Sequence, residues 1–365
     1  MVCIAAFIIL AIISIFVAVI SIFKPKVGKA WWKVFKKAWH CVFKKVRLQK
    51  CDTNFKDDVK NTILKRVILK KPKLVKPLSI TIEILSIAIV AVVIWAFLTA
   101  VKSLLALWAL GTCNVTQPSQ CGLGAETCTI DSQEPTSFTG KVGRWFTEWG
   151  DIFVAIPDKF KNWDVEQYAG AGAIAGPDFK KENLALMIAD PGCSVCLNSY
   201  RNMKNSDFFK KHGTYFVVYP ITLPDGTDKF NNSTLVTKYI YASQIVALEA
   251  AKRSNSNKDH NKKLADVAIN FIDRIYAEKD ENGKIYQKVI FESSKDEAEK
   301  LFDAWLKEFG MTDDEVKSTK TLLDSDKVKS ILDENKDLVE NKIHARGIPI
   351  EIYDGGVHNG LYKAE

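Results

Sequence analysis

Outside one segment this sequence has no excess of positive charge. Of 51 Lys and Arg, 18 lie between Lys24 and Pro77 beside 3 acidic residues, a local balance of +15. The remaining 33 basic and 40 acidic residues leave the rest of the chain at −7, although the net charge of the whole is +8. The charge is therefore local, which excludes a generally basic, nucleic-acid-binding protein. No basic residue precedes the first apolar run, and the lysines Lys24, Lys26 and Lys29 follow it. That order is the reverse of a secretory signal, so the run reads as an uncleaved anchor. Beyond Gly111 there is no second CxxC and no CxxH, which leaves a four-ligand zinc site without its ligands. No metal and no cofactor is expected.

What is present begins with length. At 365 residues, 47% hydrophobic and 26% charged, the chain is long enough for two or three units, and its mean hydropathy of −0.04 averages unlike parts. Val2 to Phe23 carries no charge and can cross a hydrocarbon core as a helix. Ile84 to Val101, bounded by Glu83 and Lys102, forms a second span, and its helix can continue through Leu110. The +15 loop between them is placed in the cytoplasm by the positive-inside rule. Residues 1–110 thus read as a transmembrane hairpin, with spans 2–23 and 84–101 and a basic cytoplasmic loop 24–77. Both termini and everything after Gly111 then lie outside the cytoplasm, and the location expected is a bacterial plasma membrane. Within the loop, Trp31, Trp32, Phe35, Trp39, Val42, Phe43 and Val46 recur at helical spacing among lysines, as in a helix lying in the inner interface.

Residues 111–177 read as an extracytoplasmic linker. Gly111 to Gly140 has the Thr, Ser, Gly and Gln content of a loop, and it holds Cys113, Cys121 and Cys128 on the oxidising side. The simplest account is one structural disulfide with a cysteine left over, Cys121 with Cys128 closing a short loop. A second redox pair that exchanges electrons with a membrane partner is the alternative. Val142 to Phe160 is amphipathic, carrying Trp145, Phe146, Trp149, Ile152 and Phe153, and Ala169 to Gly176 reads as a flexible connector. The folded domain is expected from 178 to 365.

One motif carries chemistry. Leu184 to Ala189 reads as a short buried strand closed by Asp190-Pro191-Gly192. Cys193-Ser194-Val195-Cys196 follows directly, then Leu197, Tyr200 and Met203 at helical spacing. A cysteine at a helix N-terminus faces unpaired backbone N–H groups and the positive end of the helix dipole, and both stabilise the thiolate that performs thiol–disulfide exchange. Cys196, one turn on, is placed to resolve a mixed disulfide. An inert structural disulfide is the competing reading. Further along come a strand Thr214 to Tyr219, then Arg346-Gly347-Ile348-Pro349-Ile350-Glu-Ile-Tyr353, a turn, and Val357 to Tyr362.

Together these residues resemble a thioredoxin-fold thiol–disulfide oxidoreductase of the bacterial DsbA-like group, over about Leu184 to Tyr362. The resemblance implies an α/β thioredoxin-like fold with a large helical insertion at 233–345, here preceded by the two-helix transmembrane hairpin. It implies a cis Ile348–Pro349 bond beside the CxxC, with Ile348 and Pro349 binding the substrate backbone. The insertion itself is legible as helices: Leu264, Val267, Ala268, Phe271, Ile272 and Ile275 form one apolar face, Ala298 to Phe309 another, and Thr312-Asp-Asp-Glu315 is a capping box. Known members hold a buried acid six residues before the first cysteine, where this chain has Met187. The usual closing helix does not follow the last strand, so Val142 to Phe160 is expected to cover that sheet face.

The reading is a membrane-anchored, extracytoplasmic thiol–disulfide oxidoreductase in which Cys193 attacks and Cys196 resolves. It acts on disulfides of secreted or envelope proteins, more as an oxidase than as a reductase or isomerase, and a membrane redox partner reoxidises it. The alternative is a non-enzymatic docking or assembly module whose disulfide is structural.

Overall fold

The structure is a computed structural model that describes residues 75–364, apart from 122–125, 131–134, 171, 178 and 254–257, together with Trp32 and Lys36. The first expected span and nearly all of the basic loop lie outside these residues. A helix of 36 residues, Val75–Leu110, contains the second span, and its stretch Ile87–Leu110 is long and apolar enough to cross a membrane. Among the described residues it is the one helix that meets this test, so the expected two-helix hairpin is not supported beyond one candidate span. A unit boundary falls between Val101 and Lys102. The second unit runs from Lys102 to Glu365.

At the start of this unit Lys102 is buried and paired with Glu148, so the charge that ends the apolar run is neutralised inside the protein. Ala106, Ala109 and Val115 pack on Ile152 and Ala155 of the helix Phe138–Ala155. This corrects the expectation for Val142 to Phe160, whose apolar face meets these residues and not the sheet. Trp163, Val165 and Tyr168 join the main core in its place.

The domain is built on a five-stranded mixed sheet in the order β2 (Ile174–Ala175), β4 (Thr214–Val218), β3 (Ala185–Ala189), β6 (Ile350–Tyr353), β7 (Gly356–Asn359). Every residue of β3 is buried, as its unbroken Ala-Leu-Met-Ile-Ala run requires of a central strand. It runs parallel to β4, with Met187 beside Phe216, and antiparallel to β6, with Met187 beside Glu351. This strand order, a parallel βαβ pair flanked by an antiparallel hairpin, is that of a thioredoxin-like fold. β2 pairs antiparallel with β4, Ile174 opposite Phe216. The Ala169–Gly176 segment is therefore partly sheet, and the folded unit begins before residue 178. Gly176 permits this: a Cβ there would lie 2.7 Å from the carbonyl oxygen of Thr214.

Between β4 and the hairpin the chain forms seven described α-helices from Ser233 to Asp337. The apolar face Leu264, Val267, Ala268, Phe271, Ile272 and Ile275 is wholly buried. Phe271 lies edge-on to Trp305, with ring centroids 5.6 Å apart. Thr312 and Glu315 form the expected capping box, and Ser294 with Glu297 forms a second. A separate two-stranded ladder joins β1 (Cys128–Thr129) to β5 (Gly347–Ile348).

Candidate active site

β3 ends at Ala189, and Asp190-Pro191-Gly192 turns the chain into the helix Ser194–Asn205. The turn is closed by the Cys193 N–H donating to the Asp190 carbonyl at 3.1 Å. It leaves no room for side chains, since a Cβ on Gly192 would stand 2.2 Å from Cβ of Phe230. Cys193 occupies the N-cap position, and its sulfur accepts from the Cys196 N–H at 3.4 Å. The sulfur thus lies where the sequence placed it, against the unpaired N–H groups of a helix start.

The helical insertion braces this turn. Gln287 Nε2 donates to the carbonyls of Pro191 (2.7 Å) and Cys193 (3.0 Å), and the Tyr276 hydroxyl donates to the Asp190 carbonyl at 2.8 Å. Opposite stands the Ile348–Pro349 peptide, which is cis. The carbonyl oxygen of Ile348 is 4.0 Å from Cys193 Sγ. Cys193, Cys196, Ile348 and the cis proline are therefore brought together.

Cysteine pairing differs from the sequence expectation. Cys113 bonds to Cys121, so Cys121 is not closed on Cys128. Cys128 bonds to Cys193, 65 residues away, and Cys196 is a free, buried thiol. Cys193 and Cys196 are neighbours in space but are not bonded to each other. Cysteine spacing along the chain does not encode such a partner, because the pairing is set by where β1 docks.

Two buried acids act on Cys196: Asp190, legible in the sequence only as part of the turn, and Glu351, which the sequence did not single out. Glu351 is buried in β6, directly beside Met187. The structure supplies a carboxyl at this place from the neighbouring strand. It accepts from the Ser199 hydroxyl at 2.6 Å, and burial pushes it up to about 8. Asp190 is buried too; it accepts from the N–H groups of Gly192 and Ile221, each at 2.6 Å, and from the Ser233 hydroxyl. Burial outweighs these bonds and pushes it up to about 7. Burial pushes the Cys196 thiol well above its usual value, and the charges of Asp190 and Glu351 push it further. Among the described residues no cluster of His, Cys, Asp and Glu fits a metal ion.

No known family profile and no curated protein matches the chain. Similar solved structures include the thiol-disulfide exchange protein alpha-DsbA2 from Wolbachia pipientis, at 14% identity and a TM-score of 0.35, covering 60% of this chain and 92% of that one. A thioredoxin-like oxidoreductase from Silicibacter pomeroyi is 10% identical with a TM-score of 0.34, over 54% of this chain and 88% of that one. ScsC from Proteus mirabilis, in a transitional conformation, is 12% identical with a TM-score of 0.33, over 62% and 86%. The fold assignment rests on the strand order and the helix start described above.

Proposed function

We propose that the protein is a thiol–disulfide oxidoreductase with Cys193 as the exchanging sulfur and Cys196 as the resolving thiol. The observation that carries this reading is the setting of Cys193: a helix N-cap sulfur beside the carbonyl that precedes a cis proline. The helix start stabilises Cys193 as a leaving thiolate, while burial among acids keeps Cys196 a protonated thiol. Ile348 and Pro349 present backbone to an extended cysteine-containing peptide. Anchored by the helix that contains Ile87–Leu110, the domain acts outside the cytoplasm on secreted or envelope proteins, and a membrane redox partner renews its disulfide.

The test is oxidation of a dithiol peptide by the full-length chain in detergent. Cys193→Ser is expected to lower the rate at least ~100-fold with far-ultraviolet circular dichroism unchanged, whereas an unchanged rate overturns the reading. Direction follows from the Cys193–Cys196 potential: the oxidant reading expects a value nearer −120 mV than about −270 mV, the range of thioredoxin.

A docking module with a structural disulfide is the second reading, favoured by the bond that ties Cys193 to Cys128 and not to Cys196. It predicts that Cys193→Ser lowers stability and changes no exchange rate.

A further inference from the structure

β1 holds Cys128 against the part of the chain that borders the reactive sulfur. Its ladder with β5 is antiparallel, Cys128 opposite Ile348 and Thr129 opposite Gly347. Ile348 is the residue before the cis proline, and neither β1 nor β5 belongs to the five-stranded sheet. The exposed polar edge of an extended segment is a template for an added strand. Here that edge is already filled by the protein itself.

Several further bonds seat the filling segment, residues 126–130. The Ile130 N–H donates to the Arg346 carbonyl at 3.1 Å, and the Leu361 N–H donates to the Glu126 carbonyl at 2.9 Å. Lys229 Nζ donates to the Thr129 carbonyl. The approach depends on Gly347, where a Cβ would lie 2.8 Å from Thr127 Oγ1 and 3.2 Å from the Cys128 carbonyl oxygen. The segment is also covalently joined to Cys193, as a peptide caught in mid-exchange would be. With it seated, Cys193 is fully buried and Cys128 only partly so.

We propose that residues 126–130 are a tethered occupant of the strand edge that receives peptides, and that Cys128 is a third redox cysteine which Cys196 displaces to open the site. The proposal rests on the oxidoreductase reading above. In the displacing step the Cys196 thiolate attacks Cys193 Sγ. The Cys193–Cys196 bond forms as the Cys128–Cys193 bond breaks. The electron pair leaves on Cys128, which takes up the proton that Cys196 gave up. Nothing is oxidised or reduced overall, so closed and open forms are isomers at one oxidation level. The burial that keeps Cys196 protonated holds the closed form as the resting state. Displacement frees the Gly347–Ile348 edge and presents a Cys193–Cys196 disulfide to an incoming thiol. Tethering gives the segment a high effective concentration, so it outcompetes dilute peptides until it is displaced.

The experiment uses the full-length chain in detergent, equilibrated over a series of glutathione poises, quenched in acid and mapped by mass spectrometry. Wild type is expected to yield both 128–193 and 193–196 linked peptides, and Cys196→Ser only the first. Cys128→Ser is expected to yield only 193–196 and to oxidise a dithiol peptide roughly tenfold or more faster than wild type. A wild-type peptide rate in Cys128→Ser overturns the proposal and leaves the oxidoreductase reading standing, whereas a 128–193 bond that never exchanges overturns the proposal and favours the docking module. If neither chain exchanges with the peptide at any poise, the oxidoreductase reading falls, and the proposal falls with it. Mapping wild type alone decides the case if Cys128→Ser does not fold.

Discussion

Glu351 and Asp190 bind protons in the folded chain at pH values where the unfolded chain has released them. Their values are raised from the ordinary carboxylate range to about 8 and about 7, each chiefly by burial. For an acid whose folded value is raised, the stabilising contribution is present below the unfolded value and is lost as pH rises through the folded value. Each group therefore costs stability progressively from about pH 4, Asp190 up to about pH 7 and Glu351 up to about pH 8. Glu351→Gln removes one of these titrations while keeping an acceptor for the Ser199 hydroxyl. The variant is expected to gain in melting temperature relative to wild type between about pH 5 and pH 9, by a few degrees or more. Melting curves that stay parallel over that range would contradict the burial argument. Glu351 was not legible as a site residue because Ile350-Glu-Ile-Tyr353 reads as an alternating strand with its acid facing water. Only the register that sets Glu351 beside Met187 places it inside.

Elements rather than single residues hold the reactive turn in place. The short helix Tyr286–Glu292 contributes Gln287, whose amide satisfies two buried carbonyls of the turn. Replacing Gln287 with Ala leaves the Pro191 carbonyl without its donor, while the Cys193 carbonyl keeps the Leu197 N–H at 3.1 Å. The expected cost is on the order of 1–3 kcal/mol, because buried unsatisfied acceptors lose their full solvation. Denaturant unfolding with an unchanged slope would measure it, and a cost near zero would show that the insertion does not brace the turn. The major elements were legible. Leu184 to Ala189, the CxxC helix, Thr214 to Tyr219 and the helical faces all carry a strong hydrophobic period, and the structure has β3, β4 and buried helix faces there. The two-residue strands β1, β2 and β5 carry no period at all. They exist because a neighbouring strand supplies the pairing, which is information held elsewhere in the chain.

At the scale of the whole molecule, charge and hydropathy divide the chain where the structure does. The apolar run ends at Val101, and the compact unit that carries five of the eight cysteines begins at Lys102. A membrane-impermeant amine reagent applied to intact cells is expected to label lysines after Gly111 and to spare those of 24–77. Labelling of both sets alike would contradict the topology. Both disulfides, Cys113–Cys121 and Cys128–Cys193, lie after Gly111, as the proposed extracytoplasmic placement requires. Their pairing was the part of the site least legible in sequence. Three cysteines at 113, 121 and 128 look like a local cluster, yet Cys128 is drawn out of it by the edge of Gly347–Ile348.

The central claim is that Cys193 is the sulfur that exchanges with other proteins. Incubating the full-length Cys128→Ser/Cys196→Ser variant with an excess of a disulfide-linked cysteine peptide, then alkylating and mapping the adducts, tests it most directly. With neither neighbouring thiol left to resolve it, the peptide should accumulate as a mixed disulfide on Cys193. A folded chain that carries the peptide on any other cysteine, or on none, would contradict the account.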